Sequence, residues 1–239
     1  MLQKVWSFFQ SSISFQVLSD LHPEVNRQYP SYETPGWTRL DKARQLEREP
    51  SLNGPLIVFH QKRFDIPGSC VTILGCTLWS KVPYELTDVI SKKIEGWSVD
   101  DHNASQDSDL AWLLEEIHLI HKENEKAENR SKKRSILVVT HHAPLLQRTS
   151  SPQHAQNPWS VAFETDILSQ TPDGVVWVFG HTHHTTDFKE GGVRVVSNQR
   201  GYVLPWNNSK TQDSFDLRTV IRVCRFTCTF QSLAYNHIS

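Results

Sequence analysis

The sequence predicts a mixed α/β domain on three observations: short apolar runs that stop at turn residues, polar connections between those runs, and one long stretch with helical periodicity. At 239 residues the chain is long enough to build one domain around its own core. The expected strands are Phe15 to Leu18, Pro55 to Phe59, Val71 to Leu78, Ser135 to Thr140, Val175 to Phe179 and Val193 to Ser197, each a β-branched or aromatic run bounded by polar or breaking residues. The helix is expected from about Asp107 to His121, where Leu110, Leu113, Leu114, Ile117 and Ile120 fall on one face. Trp112 on that helix and Trp177 in a strand read as core aromatics. Lys122 to Lys133, rich in Glu, Asn and Lys, reads as a solvated helix end and loop.

Two regions depart from this alternation. From Pro23 to Gly54 the chain is polar and interrupted by Pro30, Pro35, Gly36, Pro50 and Gly54, with room for one helix over Leu40 to Glu49. Beyond Asp216, Ile221 to Phe230 reads as a further strand in which Arg222 and Arg225 break the apolar alternation.

Composition narrows the partners. Lysine and arginine number 25 against 26 acidic residues, so the net charge of -1 gives no general attraction to nucleic acid or an anionic membrane. The four cysteines, Cys70, Cys76, Cys224 and Cys228, form no C-x-x-C pair and are too sparse for a disulfide framework. Gln and Ser interrupt the first ten residues before a signal-peptide core can form, and no run approaches the ~20 apolar residues of a membrane span. A cytoplasmic location is therefore expected. Neither a G-x-S-x-G elbow nor a phosphate-binding glycine loop is present.

The chemistry sits where three expected strands stop. Val175 to Phe179 leads into Gly180-His181-Thr182-His183, Phe15 to Leu18 into Ser19-Asp20-Leu21-His22, and Ile136 to Val139 into Thr140-His141-His142-Ala143-Pro144. Strand ends of an α/β sheet gather at one edge, so Asp20, His22, His141, His181 and His183 are expected to converge. Carboxylate and imidazole donors together suit divalent Zn, Mn or Fe, and the lack of cysteine argues against a structural zinc knot. His60 and Asp101-His102 read as loop or surface residues. Trp79, Trp97 and Trp159 lie in loop-like contexts and are candidates for lining a substrate cleft.

These three motifs, in this order, resemble those of the calcineurin-like metallophosphoesterases. Phe64-Asp65-Ile66-Pro67-Gly68 with Val71 to Trp79, and Asn198-Gln199-Arg200-Gly201-Tyr202, are similar to segments of small fungal-type members. The resemblance implies a β-sandwich flanked by helices over residues 1–216, holding divalent metal (Mn, Fe or Zn). It also implies hydrolysis of a phosphate mono- or diester by a metal-bound hydroxide, with a phosphate ester as substrate. It assigns Asp20, His22 and His183 to one metal and His141 and His181 to a second. His142 is left either as the alternative ligand or as the catalytic residue.

The departures from the family pattern are equally specific. No Gly-Asp and no Gly-Asn occurs in the sequence, so the family's bridging aspartate, its asparagine ligand and its leaving-group histidine have no counterpart. The stretch from 23 to 54 is too short to carry them, which implies an internal truncation that removes part of one sheet. Residues 217–239 form an atypical tail. Two dications ~3.5 Å apart repel by roughly 20 kcal/mol at an effective dielectric of about 20, so without the bridge one ion is the expected occupancy. The alternative function is therefore a catalytically inactive family member that binds at most one metal or a protein partner. A third reading is a skipped-exon or gene-model product that lacks central strands.

Overall fold

Val- and Ile-rich runs buried on both faces favour parallel strands, and this chain assembles four of them. A computed structural model describes residues 13–19, 36–51, 56–86, 97–129, 132–154, 166–201 and 215–223. The strands are β1 (Ile13–Gln16), β2 (Lys62–Asp65), β3 (Val71–Cys76), β4 (Ser135–Thr140), β5 (Val176–Val178), β6 (Thr186–Glu190), β7 (Val193–Ser197) and β8 (Val220–Val223). The helices are α1 (Gly36–Leu46) and α2 (Val99–Lys126). Strands β2-β3-β4-β5-β7-β6 form a six-stranded mixed sheet, parallel from β3 through β7 and antiparallel at both edges. Strands β1 and β8 pair antiparallel in a second, two-stranded sheet.

Side-chain alternation divides the core into two layers. Leu74, Ile136, Val138, Trp177, Val193 and Val195 pack with Leu113, Ile117 and Ile120 of α2 on one face of the large sheet. Val71, Leu137, Val178 and Val196 point the other way and pack with Val17, Ile221 and Val223. Adjacent residues of β4 thus serve opposite layers, as the period of two requires. The small sheet covers the face that α2 leaves open. Burying each fully covered Leu, Ile or Val contributes about 1.5–3 kcal/mol.

Several expected elements are redrawn. The helix expected from Asp107 begins eight residues earlier, at Val99, because Ser98 caps it: its hydroxyl accepts from the Asp101 amide while the Asp101 carboxylate accepts from the Ser98 amide. The N-terminal turns escape an apolar-face search because their inward side chains are His102, Asn103, Gln106 and Asp109, all buried. The solvated helix end over 122–133 is observed as the last turn of α2 and its exit, with 130 and 131 outside the described residues. The helix expected over Leu40 to Glu49 runs instead from Gly36 to Leu46.

The expected strand at Pro55 to Phe59 is irregular chain over 56–59, and Pro55 lies outside the described residues. Its Val58 amide donates to the Glu47 carboxylate (2.6 Å), and the free edge of β3 is taken by β2. Strand β6 was not expected, since only Phe188 of its five residues is buried. In β8, Ile221 and Val223 face inward and Arg222 outward, so the arginine fits the alternation; 224–230 lie outside the described residues. Among the described residues, no helix is long and apolar enough to cross a membrane.

Candidate metal centre

Parallel strands β4 and β5 end side by side, and the segments that leave them carry the histidines. The His141 and His142 amides both donate to the Thr77 carbonyl, just beyond β3 (3.1 Å each), and the Gly180 amide donates to the His141 carbonyl (2.9 Å). Three strand exits are thereby tied together. Beneath them the Thr140 hydroxyl donates to the His142 carbonyl (2.7 Å) and accepts from the buried Trp177 indole (2.9 Å).

Among the described residues, His141, His142 and His181 form one group whose ligand atoms lie within 4.8 Å of one another. His181 Nδ1 is 2.9 Å from His141 Nε2, and the His181 ring stacks on His142 with centroids 4.3 Å apart and planes 17° apart. His141 is exposed, His181 half-buried and His142 only 3% exposed. Burial, followed by the charges of His181, His141 and His102, holds His142 well below the ordinary imidazole range. His142 is therefore a neutral ring at pH 7, the form that ligates metal.

The ring's orientation is fixed from behind. His142 Nδ1 lies 3.0 Å from Ser80 Oγ, which leaves Nε2 as the ring nitrogen that Ser80 does not hold. The Ser80 carbonyl in turn meets His102 Nε2 at 2.9 Å. His102 is thus a buried helix residue, not the loop or surface residue expected; burial lowers its pKa, partly opposed by the Ser80 carbonyl. Three side chains of α2 grip the segment that carries Ser80. Asp109 accepts from the Leu78 amide (2.8 Å), His102 meets the Ser80 carbonyl, and Asn103 accepts from the Val82 amide (2.8 Å) and donates to its carbonyl (3.0 Å).

The other expected ligands sit differently. His183 is not in the three-histidine group; its amide donates to the side chain of buried Gln199 (2.6 Å), whose amide nitrogen donates to the Thr182 hydroxyl and the His184 carbonyl. His181 and His183 both have left-handed backbones, with φ of 71° and 52°. Asp20 and His22 lie outside the described residues. Ser19 is described: it forms a parallel bridge with Gln199, its amide donates to the Asn198 carbonyl, and its carbonyl accepts from the Arg200 amide (3.2 Å each). The end of the β1 segment is thereby brought to the residue that holds the His183 loop. Trp159 also lies outside the described residues, as do Cys224 and Cys228. His60 is exposed, and Asp101 serves the cap of α2.

The donor set fits a divalent ion in type, and its nitrogens lie within 4.8 Å of one another. Imidazole suits Zn and Fe better than Mn, which prefers oxygen donors, and three protein nitrogens leave a coordination position open. Two adjustments accompany binding. A divalent ion held by His141 and His181 would displace the proton shared across their 2.9 Å contact. The near-parallel stack of His181 on His142 keeps their ring nitrogens from a common in-plane point, so His141, His142 and His181 would hold one ion together only with the His181 ring turned. Sequence reading missed Ser80 and Asn103 and misplaced His102, whose roles arise only where α2 meets the chain leaving β3.

The chain is similar to the uncharacterized protein L509 of Acanthamoeba polyphaga mimivirus, with 24% identity over 221 residues that take in 84% of this chain and 76% of the relative. No family model matches the chain, and no solved structure matches it.

Proposed function

We propose that the protein is a metal-dependent phosphoesterase of the calcineurin-like type, hydrolysing a phosphate mono- or diester at the group formed by His141, His142 and His181. The observation that carries this reading is the meeting of those three imidazoles at the C-terminal ends of parallel β4 and β5. The apposition of a large mixed sheet and a small sheet, with α2 on the outer face, supports the sandwich that the motif resemblance implies. The bridge from Ser19 to Gln199 supports Asp20, the next residue in the chain, as a further ligand alongside His183.

A bound divalent ion supplies Lewis acidity toward a phosphoryl oxygen and acidifies water. The chain's own residues hold and aim it. His141 is exposed and His181 half-buried, whereas His142 anchors the group from the core. Because burial keeps His142 neutral, it serves as a ligand and not as the proton donor. Ser80 fixes its ring, with Nδ1 carrying the proton toward the serine oxygen.

A second reading is favoured by one feature of the same group: among the described residues, the set contains no carboxylate to bridge two ions. On that reading the chain binds one metal and turns over nothing. Metal content of the purified protein, combined with hydrolysis of an aryl phosphate and an aryl phosphodiester in manganese or zinc, separates the two. Bound metal with turnover abolished by His181→Ala supports the enzyme; one ion with no turnover in any metal supports the binder.

A further inference from the structure

At the end of β5 away from the histidines lies a pocket of about 340 Å³. Gly174 and Val175, which lead into β5, line it, whereas His181 follows the same strand at its other end. The volume falls in the range of small-molecule sites. Three cations from three strands also line it: Lys189 of β6, Arg194 of β7 and Arg222 of β8. No described carboxylate does. The chain's net charge is -1, so this concentration of positive charge is local.

The fold gathers these charges against their mutual repulsion. Lys189 and Arg194 are directly opposite in the antiparallel β6–β7 pair, and Val176 is the neighbour of Arg194 in the parallel β5–β7 pair. The three side chains therefore stand on one face of the large sheet, the face on which β8 packs. Like charges directly opposite each other destabilise a strand pair, and here they are answered only in part. The Asp187 carboxylate accepts from Nε and Nη2 of Arg194 (3.0 and 2.7 Å), which leaves Nη1 to donate elsewhere. Lys189 and Arg222 are exposed and have no ion-pair or hydrogen-bond partner for their side chains among the described residues.

We infer that this pocket binds a small polyanion carrying at least two phosphate-type groups, at a site separate from the histidine group. One group set between Lys189 and Arg194 offsets their cross-strand repulsion and takes the remaining Arg194 donor; the second pairs with Arg222. Guanidinium donors suit such oxyanions in geometry as well as in charge. The inference is independent of the phosphoesterase reading, because β5 lies between the pocket and the histidines.

The test titrates the full chain, freed of metal by dialysis, with inorganic pyrophosphate and with orthophosphate by calorimetry. One pyrophosphate per chain is expected, held at least about tenfold more tightly than orthophosphate and weakened by added salt. Lys189→Ala and Arg222→Ala should each weaken pyrophosphate by about tenfold, since each removes a charge-assisted contact. Asp187→Asn removes the competing charge and should tighten it. His181→Ala should leave it unchanged, as should Lys122→Ala, which removes a surface charge elsewhere. Absence of pyrophosphate binding, equal affinity for orthophosphate, or affinity unaltered by both Lys189→Ala and Arg222→Ala would overturn the proposal. So would a loss in His181→Ala, which places the anion on the histidines, or an equal loss in Lys122→Ala, which reduces the effect to general surface charge.

Discussion

The Ser80 hydroxyl lies 3.0 Å from His142 Nδ1, so of the two ring nitrogens of this buried histidine it is Nδ1 that Ser80 engages and Nε2 that is left for the candidate metal centre. Removing it with Ser80→Ala leaves the ring in place but frees its tautomer. Outer partners of metal-binding histidines typically change affinity 10–100-fold, so a loss of at least about tenfold in zinc affinity is expected. Calorimetric zinc titration checks it, with the circular dichroism spectrum unchanged. An unaltered affinity would mean that His142 is no ligand.

Asp109 joins α2 to the chain leaving β3 through the Leu78 amide, and its other oxygen accepts from Gln61 (3.0 Å). Asp109 is almost wholly buried. Asp109→Ala strands a buried backbone donor and is expected to cost about 2–3 kcal/mol of stability. Urea denaturation measures this. Because Leu78 and Ser80 lie on the same strip, metal affinity should fall in the same variant.

Stability of the metal-free protein should decline as pH drops from 7.5 to 5. Burial, then neighbouring imidazole charge, depresses the pKa of His142, and burial depresses that of His102. The unfolded chain therefore takes up these protons first. Their contribution is complete above the unfolded histidine value of about 6.5 and is lost progressively below it. The slope can reach about 1.4 kcal/mol per pH unit for each imidazole. Carboxylates titrate near pH 4, which leaves the interval from 6.5 to 5 to the histidines. Urea midpoints in the presence of a chelator, for the parent chain and for His102→Gln, test the assignment: the variant should have the shallower slope.

Gly75 sits in β3 against Phe59, and a Cβ at that position would approach Phe59 Cβ to 2.5 Å. Neither atom is the end of a flexible side chain, so the backbone has to move. Gly75→Ala is expected to cost about 1–3 kcal/mol. Adding Phe59→Gly, which removes the clashing Cβ, should recover part of that loss relative to the two single changes, which a double-mutant cycle by thermal or urea unfolding measures.

The strands of the parallel sheet were legible because both of their faces are apolar; Val71, Ser135 and Val193 begin strands where the sequence places them. The histidines that follow were legible as strand-end pairs for the same reason. Segments whose inward residues are polar were not. The first turns of α2 bury His102, Asn103, Gln106 and Asp109, a pattern that looks solvated until the chain at 78–82 is found against it. Strand β6 has a single inward apolar residue, Phe188, and so carries too little periodicity to read. The expected grouping of five ligands was only partly accessible: His141 and His181 meet, His142 joins them, and Asp20 and His22 lie outside the described residues. Sequence spacing offered two adjacent imidazoles at 141 and 142 without separating their roles. Burial separates them, placing one in the core and the other at the surface.

The loop after β5 has left-handed backbone at both His181 and His183, where a residue with a side chain costs about 1–3 kcal/mol relative to glycine. Glycine would occupy both positions without that cost, and Gln61, Leu78 and Arg148 are the other described side-chain-bearing residues that carry it. For His181 the return is visible in the three-histidine group. His183, two residues on, carries the same backbone cost while lying outside that group.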